Sequence, residues 1–168
     1  MTSHVKDAEE EDPVFVGLNE DFCAEAWEMI LPAIAHGAHL GVLNKHAGCI
    51  VVLDPASDDF EVLFTKTING EEADAKYVEI AHAKARVTHR TGLPSSLVQT
   101  QYPYLYQEGD TKWGGSTIDD GGLVVAFSGV QAVYDEMISE WMVAAIRALC
   151  RNDMVVDVML SGESFLRR

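Results

Sequence analysis

The sequence has few of the residues that mark secreted proteins. Its 168 residues include three cysteines, Cys23, Cys49 and Cys150, which lie far apart and form no CxxC pair. An odd number of widely spaced cysteines does not build a disulfide framework and is typical of reduced thiols inside the cell. The polar, acidic start of the chain does not match a secretory signal peptide. We therefore predict a cytoplasmic location.

Positive charge is also scarce. The chain contains 12 Lys and Arg residues against 27 Asp and Glu residues, which gives a formal net charge of −15. Such an excess of negative charge disfavours binding to nucleic acid and to anionic membranes. The sequence also lacks any apolar run near the roughly 20 residues that a membrane-spanning helix requires. Neither nucleic acid nor a membrane is a predicted partner.

Several motifs of enzymes and metal sites are missing. The sequence contains no GxSxG, GxGxxG, P-loop or HExxH motif, so hydrolase, dinucleotide, NTPase and zinc-protease functions have no support. His36 and His39 have a helical spacing, but no neighbouring carboxylate or thiol completes a ligand set. His82 and His89 would lie roughly 10 Å apart along a helix, too far to share one ion. No metal site is predicted.

The length predicts one domain with a sizeable core. Residues 1–12 contain five acidic residues and one lysine, and Pro13 follows them. This composition cannot bury enough apolar surface to fold by itself. We predict a disordered acidic tail over residues 1–13 and a single domain over residues 14–168.

The spacing of apolar residues predicts helices separated by hairpins. Helical periodicity covers residues 19–40, 73–91 and 133–151, and strand patterns cover residues 49–53, 60–67, 116–118, 123–127 and 155–160. Because strands joined by short turns pair antiparallel, the sheet is predicted to be mainly antiparallel with helices packed on it. The predicted fold class is α+β.

The second predicted helix carries an unusual cation. Lys84 falls on the apolar stripe of this helix. His82 and Arg86 are four residues apart, so their side chains can face the same way, and His89 follows one turn after Arg86. A lysine in an apolar stripe either extends to the edge of the protein or points into a pocket that holds an anion. Both alternatives stay open at this stage.

Two glycine-containing corners follow that helix. Gly114-Gly115 precedes a predicted strand and forms either a simple turn or a close approach to a ligand. Ser128-Gly129 precedes the third long helix, whose N-terminal amides can bind an anion. Asp135 lies in or near the first turn of that helix, where it can also compensate the helix dipole.

Aromatic residues cluster between the second predicted helix and the Gly114-Gly115 corner. Tyr102, Tyr104, Tyr106 and Trp113 occupy a segment without regular periodicity. They predict either the wall of a site for a flat ligand or an interface between subunits, where aromatic residues are enriched.

The order and spacing of the motifs over about residues 20–150 resemble those of the GlcG/HbpS-like family, also called the haem-degrading domain family. The resemblance rests on AHAKA around Lys84, GLPSS after it, the glycine pair Gly114-Gly115, the DDGG turn, the corner Ser128-Gly129 and the acidic pair Asp135-Glu136. It implies a profilin-like three-layer α/β/α fold with a mainly antiparallel five-stranded sheet, and it implies homo-oligomers. It also implies a small-molecule ligand, with haem or another tetrapyrrole as the candidate cofactor.

Three hypotheses on function follow. The first is a ligand-binding protein whose site contains His82, Lys84, Arg86, His89, Tyr104, Trp113, Gly114, Gly115, Ser128 and Gly129. The second is an enzyme, or an accessory subunit of one, that acts on a small carboxylated or aromatic metabolite with Lys84, Asp135 and Glu136 as candidate catalytic residues. The third is a structural oligomer that uses the aromatic segment as an interface.

Overall fold

A computed structural model describes residues 17–159, 162, 164 and 165. The predicted acidic tail over residues 1–13 lies outside the described residues. Within these residues, no helix combines the length and the apolar character needed to cross a membrane.

Four α-helices and four strands make up most of the described chain. The helices are α1 (Glu20–His39), α2 (Ala75–Thr91), α3 (Ser95–Gln101) and α4 (Ala132–Asp153), and the strands are β1 (Cys49–Leu53), β2 (Val62–Thr67), β3 (Ser116–Ile118) and β4 (Val124–Ser128). The ends of the helices follow local chemistry. The side chain of Asn19 accepts a hydrogen bond from the Phe22 amide at the start of α1, and Gly92 ends α2 in the left-handed conformation with φ of 70°.

The strands form one antiparallel sheet in the order β2-β1-β4-β3. The prediction of an antiparallel α+β fold is confirmed, but the predicted number of five strands is wrong for the described part of the chain. The segment expected to form the last strand instead continues α4 as a π-helical turn over Met154–Val158. No reverse turn separates this segment from α4, so its β-branched residues are not returned to an edge of the sheet.

Helices cover both faces of the sheet and make three layers. On one face, α1 and α4 pack against Ile50, Val52, Val125 and Phe127 through side chains such as Trp27, Ile34 and Met142. On the other face, Ala81 and Ala85 of α2 pack against Val51 and Ala126. The two central strands, β1 and β4, are therefore buried along their whole length.

The three cysteines differ in their access to solvent, and this difference can be measured. Burial raises the pKa of Cys23 and of Cys49 to about 12, and it also raises the pKa of Cys150, which is only partly buried and so keeps access to solvent. Because the thiolate is the reactive form, we expect a disulfide reagent at pH 8 to modify one thiol per native chain and the other two only after unfolding in guanidinium. Cys150→Ser should remove the fast reaction. Rapid modification of two or more thiols in the native protein would contradict this expectation.

Candidate functional site

A buried ion pair joins α2 to the start of α4. Lys84 is 1% exposed, and its Nζ donates hydrogen bonds to Oδ2 of Asp135 at 2.7 Å and to the carbonyl oxygen of Phe127 at 3.0 Å. Lys84 therefore neither extends to solvent nor lines an open groove. The anion that faces it belongs to the same chain.

The corner at Ser128-Gly129 is occupied in the same way. The Val130 amide donates to Oδ1 of Asp135 at 2.9 Å, and the Gly129 amide also interacts with this carboxylate. The amides that were expected to hold an external anion thus hold Asp135. This arrangement combines the two sequence alternatives, because Asp135 lies in the first turn of α4 and its carboxylate accepts hydrogen bonds from the corner before the helix.

Burial shifts both groups of the ion pair toward their neutral forms. Loss of hydration lowers the pKa of Lys84, although the charge of Asp135 and its hydrogen bond oppose the shift. Loss of hydration likewise raises the pKa of Asp135 against the charge and hydrogen bond of Lys84. Each charge therefore offsets the desolvation of the other, and neither is favourable alone at this depth.

Gly115 allows the ion pair to form. Its φ is +134°, and a Cβ atom at this position would lie 2.7 Å from Nζ of Lys84 and 2.7 Å from Cβ of Asp135. The Gly115 carbonyl oxygen accepts a hydrogen bond of 2.6 Å from the hydroxyl of Ser139 on α4. The close approach predicted for this corner is therefore real, but the group that approaches is the protein's own ion pair.

Three buried hydroxyl groups continue the polar network and were not among the predicted site residues. The hydroxyls of Thr88 and Ser116 are hydrogen bonded to each other, and the Ser116 hydroxyl donates to the Lys84 carbonyl oxygen at 3.0 Å. The Ser95 hydroxyl accepts a hydrogen bond from the Ser116 amide at 3.0 Å. Thr88 lies one turn after Lys84 on α2, a spacing that could have identified it in the sequence.

An open groove of about 710 Å³ lies between α3 and the first half of α4. We call it the α3–α4 groove, and it is lined by Ser96, Leu97, Gln99, Thr100, Gly114, Ala132, Val133, Tyr134, Glu136, Met137 and Glu140. Its base includes Gly114, where a Cβ atom would lie 3.2 Å from Cα of Ser96. Gly114 and Glu136 are thus the predicted site residues that contribute to its lining.

Three other predicted residues lie on α2, and two of them contact Phe60. The guanidinium of Arg86 lies 5.2 Å from the centre of the Phe60 ring, and the His89 ring meets Phe60 edge to face at 5.8 Å. Nδ1 of His82 lies 2.8 Å from the carbonyl oxygen of Val78, one turn earlier. These contacts differ from those of Lys84, so the predicted site does not form one cluster.

Two of the four predicted aromatic residues are exposed, and Tyr102 and Tyr106 are partly buried. Tyr104 is 76% exposed and Trp113 is 49% exposed. Tyr104 meets Tyr102 edge to face at 6.1 Å, and the ammonium of Lys112 lies 4.9 Å from the Trp113 ring. The proposed subunit interface at this segment stays a prediction.

Comparison with known proteins shows a shared fold. No protein-family model and no curated protein matches the sequence. The structure is similar to that of a double mutant of HbpS from Streptomyces reticuli, with a TM-score of 0.53, 18% identity and coverage of 89% of this chain and 98% of that one. It is also similar to PduOC in complex with haem, with a TM-score of 0.51, 17% identity and coverage of 77% and 95%.

A further similar structure is protein ORFY of Klebsiella pneumoniae, of the DUF336 family, with a TM-score of 0.51, 16% identity and coverage of 74% and 89%. Identities this low show the fold and not a shared activity. The resemblance predicted from the motifs is confirmed at that level. The chain has the α+β fold of HbpS, PduOC and ORFY, the fold of the GlcG/HbpS-like proteins.

Proposed function

We propose that the protein binds a small organic molecule in the α3–α4 groove. The observation that carries this proposal is the groove itself, because its volume of about 710 Å³ is in the range of ligand sites, roughly 300–1,000 Å³. Leu97, Val133 and Met137 provide apolar surface, while Gln99 and Glu136 provide polar groups. The haem complex of PduOC, which has the same fold, supports a small-molecule ligand.

The buried ion pair gives this groove fixed walls. Gly114 lines the groove, and the next residue, Gly115, packs against the ion pair. Glu136 also lines the groove, and the residue before it, Asp135, belongs to the pair. The hydrogen bond from Ser139 to Gly115 fastens the same two walls to each other. A site that is ordered before the ligand arrives loses less conformational entropy on binding. Lys84 and Asp135 therefore support the site from below and do not contact the ligand.

Haem does not fit the groove. Haem carries two propionates and needs an axial donor to its iron. The described residues that line the groove include Glu136 and Glu140 but no Lys, Arg or His. Carboxylates at this position would repel the propionates, so the groove does not suit haem even though Tyr134 and Met137 of its lining could donate to iron.

The exposed side of α2 is the second candidate and concerns haem specifically. His82, Arg86 and His89 follow each other at spacings of four and three residues on this helix. They contribute imidazole groups that can ligate iron and a guanidinium that can pair with a propionate. The haem complex of PduOC supports this second candidate.

A ligand screen tests the groove proposal. A library of small organic molecules is screened by ligand-observed NMR. We expect binders whose binding signals disappear with the Val133→Trp variant and persist with the Val62→Trp variant. Both valines are exposed, but only Val133 of the two lines the groove. Binders that are indifferent to Val133→Trp, or a complete absence of binders, would contradict the proposal. Quenching of the half-exposed Trp113, next to Gly114, gives an independent optical signal.

Titration with haemin tests the second candidate. If haem binds on α2, the Soret band of haemin should shift with the wild-type protein and not with the double variant His82→Ala, His89→Ala. His36→Ala with His39→Ala is the matched control, because these two histidines stack on each other at the end of α1. A Soret shift that survives the loss of both α2 histidines would exclude them as iron ligands.

A further inference from the structure

We infer that the α3–α4 groove takes a molecule in which a protonated amine is attached to an apolar or aromatic body. This inference rests on the proposed function and adds the chemical class of the ligand. It follows from the charges of the groove, the surface around those charges and the absence of basic residues among the described residues of the lining.

The negative charges come from one helix. Glu136 and Glu140 are one turn apart on α4, and both line the groove. Side chains at this spacing are neighbours, and two like charges there destabilise each other. Among the described residues, the ion pairs are Lys84–Asp135, Arg90–Asp110 and Arg147–Asp119, so none of them neutralises Glu136 or Glu140. A bound cation would relieve this repulsion.

The other described residues of the lining supply no positive charge. They are apolar side chains, uncharged polar side chains and one glycine. The whole chain also has a formal net charge of −15. A carboxylate or phosphate ligand would therefore enter a negative field without a partner, whereas a cation would be attracted from a distance.

The apolar part of the groove suits the body of such a ligand. Leu97, Val133 and Met137 offer aliphatic and thioether surface, and Tyr134 offers an aromatic ring. An ammonium group is attracted to the face of an aromatic ring, and an apolar body gains by leaving water. Gln99 on the opposite helix adds an amide that can accept a hydrogen bond from the amine.

Three compounds of nearly equal shape test the inference. Phenethylamine, 2-phenylethanol and 3-phenylpropionate differ mainly in charge, and their affinities can be measured by ligand-observed NMR titration at low ionic strength. We expect phenethylamine to bind at least about tenfold more tightly than 3-phenylpropionate, with the alcohol between them. Because the amine contributes through exposed charges, its affinity should fall as salt is added, while that of the alcohol should not.

Variants that remove the charges of the groove provide the second part of the test. The double variant Glu136→Gln, Glu140→Gln keeps the shape of the groove. It should lower the affinity for phenethylamine about five- to tenfold and leave the affinity for 2-phenylethanol unchanged. Glu61→Gln with Glu108→Gln removes the same charge from positions outside the lining and should leave both affinities unchanged.

Failure of the inference differs from failure of the proposed function. If library binders depend on Val133 but amines are not favoured among them, or if 3-phenylpropionate binds as well as phenethylamine, the assigned ligand class is wrong and the groove remains the site. If phenethylamine shows no saturation up to about 10 mM, the class is also wrong. If no compound of the library binds, or if none depends on Val133, the groove is not the site and both proposals fail.

Discussion

Replacing Asp135 by Asn is expected to lower the free energy of unfolding by about 3–5 kcal/mol, because the ammonium of Lys84 then remains buried without a counter-charge. The pair is close to fully buried and its two charged atoms are 2.7 Å apart. Lys84→Met should cost a similar amount, since it leaves the carboxylate of Asp135 buried alone. Urea unfolding followed by circular dichroism measures both losses.

The double variant and a surface pair make this expectation specific. Lys84→Met combined with Asp135→Asn removes both charges. The double variant should therefore lose clearly less free energy of unfolding than the two single variants lose in sum. Arg147→Met breaks an exposed pair with Asp119, at 3.8 Å, and should change the stability by less than about 1 kcal/mol. Additive single losses, or a loss from Asp135→Asn as small as that from Arg147→Met, would show that the two charges are not coupled in the fold.

The loss caused by Lys84→Met should depend on pH. Burial raises the pKa of Asp135, and removal of Lys84 also removes the charge and hydrogen bond that oppose this rise. Because the pKa of Asp135 is higher in the folded than in the unfolded state, its contribution to the free energy of unfolding is fully present below the unfolded-state pKa of about 3.9. This contribution is lost as the pH rises through the folded-state pKa. Lys84→Met should therefore be less destabilised at pH 5 than at pH 8. An equal loss at both values would mean that Asp135 does not titrate in this range.

Gly115→Ala is expected to destabilise the fold by about 3 kcal/mol or more. The φ of +134° is unfavourable for alanine, and the new Cβ would lie 2.7 Å from Nζ of Lys84 and 2.9 Å from the carbonyl oxygen of Phe127. The ion pair cannot yield without losing its hydrogen bonds, because it is held from α2, β4 and α4 together. Thermal and urea unfolding should both detect the change.

Gly122→Ala is the matched control for this variant. Gly122 also has a positive φ, +85°, but no atom lies within 4 Å of the position that a Cβ would take. It should show only the cost of the backbone conformation, about 1 kcal/mol. The difference between the two variants measures the close approach at Gly115. If both lose the same amount, the contact with Lys84 and Asp135 carries no cost.

The secondary structure was predictable where local signals agree. The Asn19 cap, the left-handed Gly92 and the apolar stripes of α1, α2 and α4 are properties of short segments, and the structure confirms the helices that they predict. The run at Val155 and Val156 was misread because β-branched residues favour strands only when a neighbouring strand exists. Continuation of α4 decided otherwise.

The candidate site was predictable only in part. The position of Lys84 in an apolar stripe correctly identified an unusual lysine, and the order of the motifs correctly predicted an antiparallel α+β fold but not the number of its strands. The hydrogen-bond partner of Lys84 was not evident, because Asp135 is 51 residues away and lies on another helix. The groove also combines residues of α3 and α4, which lie far apart in the chain.

The amino-acid sequence by itself determined the long helices, the antiparallel hairpins and the strongly negative charge, because each depends on local backbone preference or on composition. Only the tertiary structure decided that Lys84 is neutralised by Asp135 and that the amides near Gly129 are already occupied. It also decided that Glu136 and Glu140 are the charges facing an open groove. Pairing and burial depend on contacts between distant segments, and only folding brings these together.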